Sequence, residues 1–152
     1  LNLSRHKSST VTLPVRTTSF TPTLLAANTE TISESEVIHT EIGNIEIETI
    51  LTIYDELFAS GTKTATKNQT YKYAGTVIAD VSFMATFRYT GSSVSVTDTD
   101  SDYTTYNGWS YKNESISTSG GTASLSASLT KLLAGTVPVS ISITCTPNGA
   151  IS

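Results

Sequence analysis

Thr122-Ala123-Ser124-Leu125-Ser126-Ala127-Ser128-Leu129 and Val137-Pro138-Val139-Ser140-Ile141-Ser142-Ile143-Thr144-Cys145 alternate aliphatic residues with small, mostly hydroxylated ones. A side-chain period of two is that of a β-strand with one apolar face and one wet face. The turn between the first run and the segment before it supports this reading. A two-residue Gly120-Gly121 loop sets Ile116 opposite Leu125 and Thr118 opposite Ala123, so turn chemistry and apolar phase agree.

Working outward, a Gly91-Ser92 turn sets Tyr89 opposite Val94 and Phe87 opposite Val96. The strand before it, Val77–Tyr89, has Val77, Ala79, Val81, Phe83, Ala85 and Phe87 in one phase and Asp80, Ser82, Thr86 and Arg88 in the other. Thr64–Tyr73 reads as a mostly polar strand with Tyr71 and Tyr73 in phase. Register logic favours a three-residue loop, Tyr73-Ala74-Gly75, between these two strands, which pairs Tyr71 with Val77. Ile45, Ile47, Leu51 and Ile53 share a face opposite Glu46, Glu48 and Thr52, and Ile50 and Tyr54 on the polar side suggest a covered end. Tyr54–Ser60 is expected to form a short helical turn closed by Gly61. Leu129–Gly135 breaks the alternation and reads as a bulged or looped crossover. The last strand is Val137–Thr146, stopped by Pro147 and the Asn148-Gly149 turn.

The expected fold is therefore all-β, an antiparallel β-sandwich of immunoglobulin-like architecture with about seven strands. Residues 1–40 are read as an extended or flexible N-terminal leader and 41–152 as the β-sandwich domain. Within the leader, Val11, Leu13 and Val15 alternate with Thr12, Pro14 and Arg16, the pattern of an edge strand that tolerates proline. Self-association through residues 11–15, by strand addition to a neighbour's sheet, follows from that pattern.

Composition bounds the function. Ser and Thr make up about a third of the 152 residues, charged residues are 14%, and the net charge is −4, so hydroxyls do the solubilising. There is no basic stripe for nucleic acid and no run of ~18 apolar residues for a transmembrane segment. The first residue is Leu, which reads as a processed or cloned fragment, and the hydroxyl-rich, charge-poor pattern favours an extracellular or cell-surface location. Cys145 is alone, so no intrachain disulfide can form, and its phase with Ile141 and Ile143 marks it as a buried hydrophobe.

Three features invite chemistry. Asp98, Asp100 and Asp102 alternate as the start of a calcium loop does, but Tyr103 stands where the loop glycine belongs and Trp109 where the closing glutamate does. They are read as a solvated strand end, with a weak Ca²⁺ site as the alternative. The following stretch gathers Tyr103, Tyr106, Asn107, Trp109 and Tyr111, a set that can stack on sugar rings or anchor a protein partner, or else plug one end of a sandwich. His6 and His39 are the two histidines, and no Gly-x-Ser-x-Gly elbow, zinc-ligand spacing or phosphate loop accompanies them. No catalytic residue, metal or cofactor is assigned.

The stretches Phe87-Arg88-Tyr89-Thr90-Gly91-Ser92, Tyr106-Asn107-Gly108-Trp109-Ser110, Ser119-Gly120-Gly121-Thr122-Ala123 and Ile143-Thr144-Cys145-Thr146-Pro147-Asn148-Gly149 resemble small, functionally uncharacterised exported β-rich proteins of Gram-positive bacteria. The resemblance implies export and β architecture and supplies no activity. The expectation is a non-enzymatic secreted or cell-surface binding module of adhesion type, with a protein or glycan partner. Two alternatives are a pilin-like or fibre subunit that exchanges its N-terminal segment, and a membrane-active β protein.

Overall fold

The computed structural model describes residues 5–6, 15–21, 24–56 and 61–152, with side chains from 29–55 and 61–152. Its strands are β1 (Arg5–His6), β2 (Val15–Thr21), β3 (Leu24–Thr40), β4 (Gly43–Glu56), β5 (Thr62–Tyr73), β6 (Thr76–Tyr89), β7 (Val94–Thr105), β8 (Ser110–Ser119), β9 (Thr122–Lys131) and β10 (Gly135–Thr144). The large sheet runs β3-β4-β5-β6-β7, with β1 and β2 both paired to β3; the small sheet runs β10-β9-β8. Every pairing is antiparallel, and β3 to β7 and β8 to β10 each lie side by side in chain order as meanders. The molecule is a β-sandwich, and its likeness to immunoglobulin domains is one of packed layers.

Two apolar faces close on each other. Ile45, Ile47, Tyr71, Ala79, Val81, Phe83, Ala85 and Phe87 of the large sheet are buried with Leu125, Leu129, Val137, Val139, Ile141 and Ile143 of the small one. Cys145 is buried in phase with these strands, and burial pushes its thiol pKa up although Lys63 opposes the shift. The wet face of the small sheet carries hydroxyl pairs, with Thr122 against Thr144 and Ser124 against Ser142, each at 3.0 Å.

The two glycine hairpins have the expected registers: Phe87 faces Val96, Tyr89 faces Val94, Ile116 faces Leu125 and Thr118 faces Ala123. The β5–β6 turn does not. Tyr73 pairs with Thr76 across a two-residue Ala74-Gly75 loop, both residues at positive φ (+50° and +78°). Such a turn matches strand twist better than a three-residue loop. It brings Lys72 opposite Val77, and a bulge at Ile78 then returns Tyr71 to the apolar phase opposite Ala79.

Three further expectations change. Residues 24–40 are a long strand paired with β4 from Ala27 to Thr40, so position 41 lies in a hairpin turn and not at a domain boundary. β3 alternates too, with Ile32 and Ile38 inward, but Glu30, Glu34 and Glu36 on the same face hide the pattern. Tyr54 to Glu56 continue β4 instead of starting a helical turn, and Ile50 and Tyr54 are exposed. Leu129–Gly135 is no crossover: Lys131 faces Gly135 and a tight Leu132-Leu133-Ala134 turn joins β9 to β10. Residues 11–14 of the proposed exchange segment and 57–60 lie outside the described residues; Val15 begins β2, which pairs with β3.

Gly121 sits where the small sheet meets the C-terminal turn. A Cβ there would stand 2.3 Å from the Cys145 carbonyl oxygen and 2.6 Å from Val94 Cγ1. Cys145 N–H also donates to Gly121 O at 2.8 Å, so the backbone has little room to retreat. Gly121→Ala is expected to lower stability by about 1–3 kcal/mol in denaturant unfolding. Ala74→Asn, which suits the positive φ, is expected to raise it by up to roughly 1 kcal/mol.

Candidate functional site

The residues singled out between 98 and 111 lie at the end of β7, in the crossing between the sheets, and at the start of β8. The structure distributes them over four places.

Asp98, Asp100 and Asp102 line the exposed face of β7, the edge strand of the large sheet. They share sequence parity with the half-buried Val94 and Val96, yet point the other way. A bulge at Thr97 is the cause: Phe87 faces Val96 while Thr86 faces Asp98, leaving Thr97 extra. Successive same-face positions on a strand stand roughly 6–7 Å apart, so these carboxylates run in a line instead of converging on a cation. Asp100 and Asp102 accept the N–H of Ser101 and Tyr103, at 2.9 and 2.8 Å. Among the described residues, no group of three or more His, Cys, Asp or Glu is arranged to hold a metal ion. A charged line on an edge strand discourages strand addition there.

Trp109 is core. It is 5% exposed and meets Tyr73 edge-on, ring centroids 6.4 Å apart at 67°. The crossing that buries it is anchored to the start of β6: Tyr106 N–H donates to Ile78 O at 3.0 Å and Asn107 Nδ2 to Val77 O at 3.1 Å. Asn107 and Gly108 take positive φ (+58° and +83°), and Trp109 N–H closes the turn on Tyr106 O at 3.1 Å. Asn107 thus serves the turn that drives the indole inward.

Tyr106 goes to the outer face of the large sheet. Its hydroxyl donates to Asp80 Oδ2 at 2.8 Å, while Thr70 Oγ1 donates to Asp80 Oδ1 at 2.7 Å. The hydrogen bond to Asp80 raises the Tyr106 pKa above the ordinary tyrosine value.

Tyr103 and Tyr111 meet at the open side of the sandwich, one from each sheet. Their rings stack at 4.2 Å and 14°, and Tyr103 remains 50% exposed. Glu114 fastens the pair, accepting from Tyr111 Oη on Oε2 and from Ser101 Oγ on Oε1, both at 2.7 Å. Glu114 reaches this face because Asn113 (φ +59°) lies in a bulge between Lys112 and Ser115, which lets Tyr111 and Ile116 share a face despite an odd separation. Parity alone therefore could not reveal Glu114 as a partner of Tyr111. Burial first, and then the Glu114 hydrogen bond, push the Tyr111 pKa well up.

His39 hydrogen-bonds across the β3–β4 hairpin, its Nδ1 2.5 Å from Asn44 Oδ1. No protein-family model matches the chain, and no curated protein or solved structure matches it at a significant level.

The pH consequence has a definite sign. Both tyrosines have raised folded pKa values. Their contribution to stability is complete below the unfolded tyrosine value near ~10 and is lost as pH climbs through the folded values. A tyrosinate absorbance titration is expected to show late ionisation by Tyr106 and Tyr111, of which Tyr111→Phe removes the Tyr111 part. Glu114→Ala, which frees two hydroxyls at a half-open site, is expected to cost about 1 kcal/mol in denaturant unfolding.

Proposed function

We propose that this protein is a non-catalytic, exported β-sandwich module that binds a protein or glycan partner through the Tyr103–Tyr111 side of the sandwich. The observation that carries this reading is the stacked pair itself. Tyr103 is half exposed and backed by Tyr111, and the pair is locked by Glu114. A ring already held in place loses little freedom on binding, and its face takes the C–H side of a sugar ring or an apolar side chain. Export is supported by the Ser/Thr-rich, charge-poor composition and by the resemblance to exported β-rich proteins.

A second reading, a fibre or pilin-like subunit, is favoured by one feature of the large sheet. β1 and β2 lie end to end along the outer edge of β3, β1 at Val37–Ile38 and β2 from Leu24 to Thr31. The same pairing made between copies would link subunits.

Each reading has its own test. A glycan array and affinity capture from cell surfaces are expected to yield a ligand whose binding falls about tenfold or more with Tyr103→Ala, the loss of roughly one well-buried aromatic contact. No ligand, or one indifferent to Tyr103, removes the first reading. Size-exclusion chromatography of a chain lacking residues 1–22 tests the second: a stable monomer of unchanged size removes it.

A further inference from the structure

The tip of the β9–β10 hairpin runs against both solvation and backbone preference. Leu132 and Leu133 are 88% and 101% exposed, whereas no other exposed large hydrophobic among the described residues exceeds 50%. Leu133 also takes φ +67°, a left-handed conformation that its Cβ disfavours and that Gly or Asn adopts readily. Neither core packing nor turn chemistry explains this choice.

The base of the tip is fixed. Ala134 N–H donates to Lys131 O at 3.1 Å, and Gly135 packs so closely that a Cβ would stand 2.5 Å from Ile42 Cγ2. The hairpin therefore presents two leucines on a rigid support. Beside them the surface carries Lys112 and Lys131 together with Ser, Thr and Gly, and no carboxylate. One carboxylate stands at the base of the hairpin, Glu41 Oε1 being 3.9 Å from that same Cβ position. In a chain of net charge −4, this places two cations next to the most exposed apolar residues.

We infer that the tip is a membrane-contact site: Leu132 and Leu133 enter the interfacial layer of an anionic bilayer while Lys112 and Lys131 meet its phosphates. The charge decides for lipid. A protein socket would need a surface of roughly 800 Å² per partner, and around the leucines the tip offers two lysines and small Gly, Ala, Ser and Thr residues. A bilayer needs only a small apolar wedge flanked by lysines whose stems reach along it and whose ammonium groups stay in the headgroup layer. Two leucines give weak, reversible attachment, comparable in kind to a single acyl chain. This site is separate from the Tyr103 surface, so Tyr103→Ala leaves it intact.

The test is co-sedimentation at low salt with large unilamellar vesicles, either phosphatidylcholine alone or phosphatidylcholine mixed equally with phosphatidylglycerol. The whole protein is expected to bind the mixed vesicles and to leave the neutral ones in the supernatant. The double variant Leu132→Ser/Leu133→Asn is expected to weaken binding about tenfold or more. Lys112→Gln/Lys131→Gln is expected to weaken it to the level seen with phosphatidylcholine alone. Leu133→Asn by itself is expected to lose affinity while its Tm stays level or rises, which separates loss of contact from loss of fold. Absence of binding to mixed vesicles, equal binding to both compositions, or unchanged binding by the leucine variants overturns the proposal. So does a lower Tm for Leu133→Asn, because the residue would then be serving the fold.

Discussion

The apolar contact between the two inner faces, Phe83, Phe87 and Tyr71 against Leu125, Leu129, Ile141 and Ile143, is the interaction on which the rest of the structure depends. There is one cysteine and it is free, so no cross-link shares the task. Each such side chain contributes on the order of 1.5–3 kcal/mol when fully buried. That contribution exists only if every strand keeps its apolar positions on the inner side. A slip of one residue in any hairpin would turn a whole strand inside out. The turns are therefore the points at which the fold is either maintained or lost.

Three bulges show how phase is corrected where parity fails. Ile78 absorbs the extra residue left by the tight Ala74-Gly75 turn, Thr97 separates the inward valines of β7 from its outward aspartates, and Asn113 lets Tyr111 and Ile116 share a face. The last two also shape the open side of the sandwich. One sends a line of carboxylates outward along an edge strand, and the other delivers Glu114 to the tyrosine pair. The β10 edge is guarded differently. Pro138 breaks it, Lys67 Nζ donates to Ser142 O at 2.6 Å, and Thr144 exchanges two 2.9 Å hydrogen bonds with Ser152. Each device satisfies or removes a backbone group that would otherwise template another strand.

The aromatic stretch looked like a single surface in one dimension and divides in three. Trp109 fills the core, Tyr106 serves Asp80 on the outer face, and Tyr103 and Tyr111 form the pair at the open side. Residue type marks the stretch as either a recognition surface or a plug for one end of a sandwich. The crossing between sheets is expected at Leu129–Gly135 instead, because the chain changes sheets at 106–109 through a turn that leaves no break in aliphatic alternation. Which ring goes where depends on Asn107 and Gly108 at positive φ, and local composition does not encode that choice. Leu132 and Leu133 break the alternation, and a break in period alone does not distinguish a crossover from a hairpin tip. Two adjacent leucines suggest burial until the turn places them beyond the end of both strands.

From its residues alone this chain declares a period of two, the turn chemistry of Gly91-Ser92 and Gly120-Gly121, and the inward phase of Cys145. These are local properties, and local sterics decide them. They sufficed for an all-β sandwich and for the registers of two hairpins. The tertiary structure decided the rest: the place of residues 24–40 in the large sheet, the three bulges, the Glu114 clasp and the exposure of the β9–β10 tip. Each depends on what a segment meets across a strand pair or between sheets, and alternation within one strand carries no information about that partner.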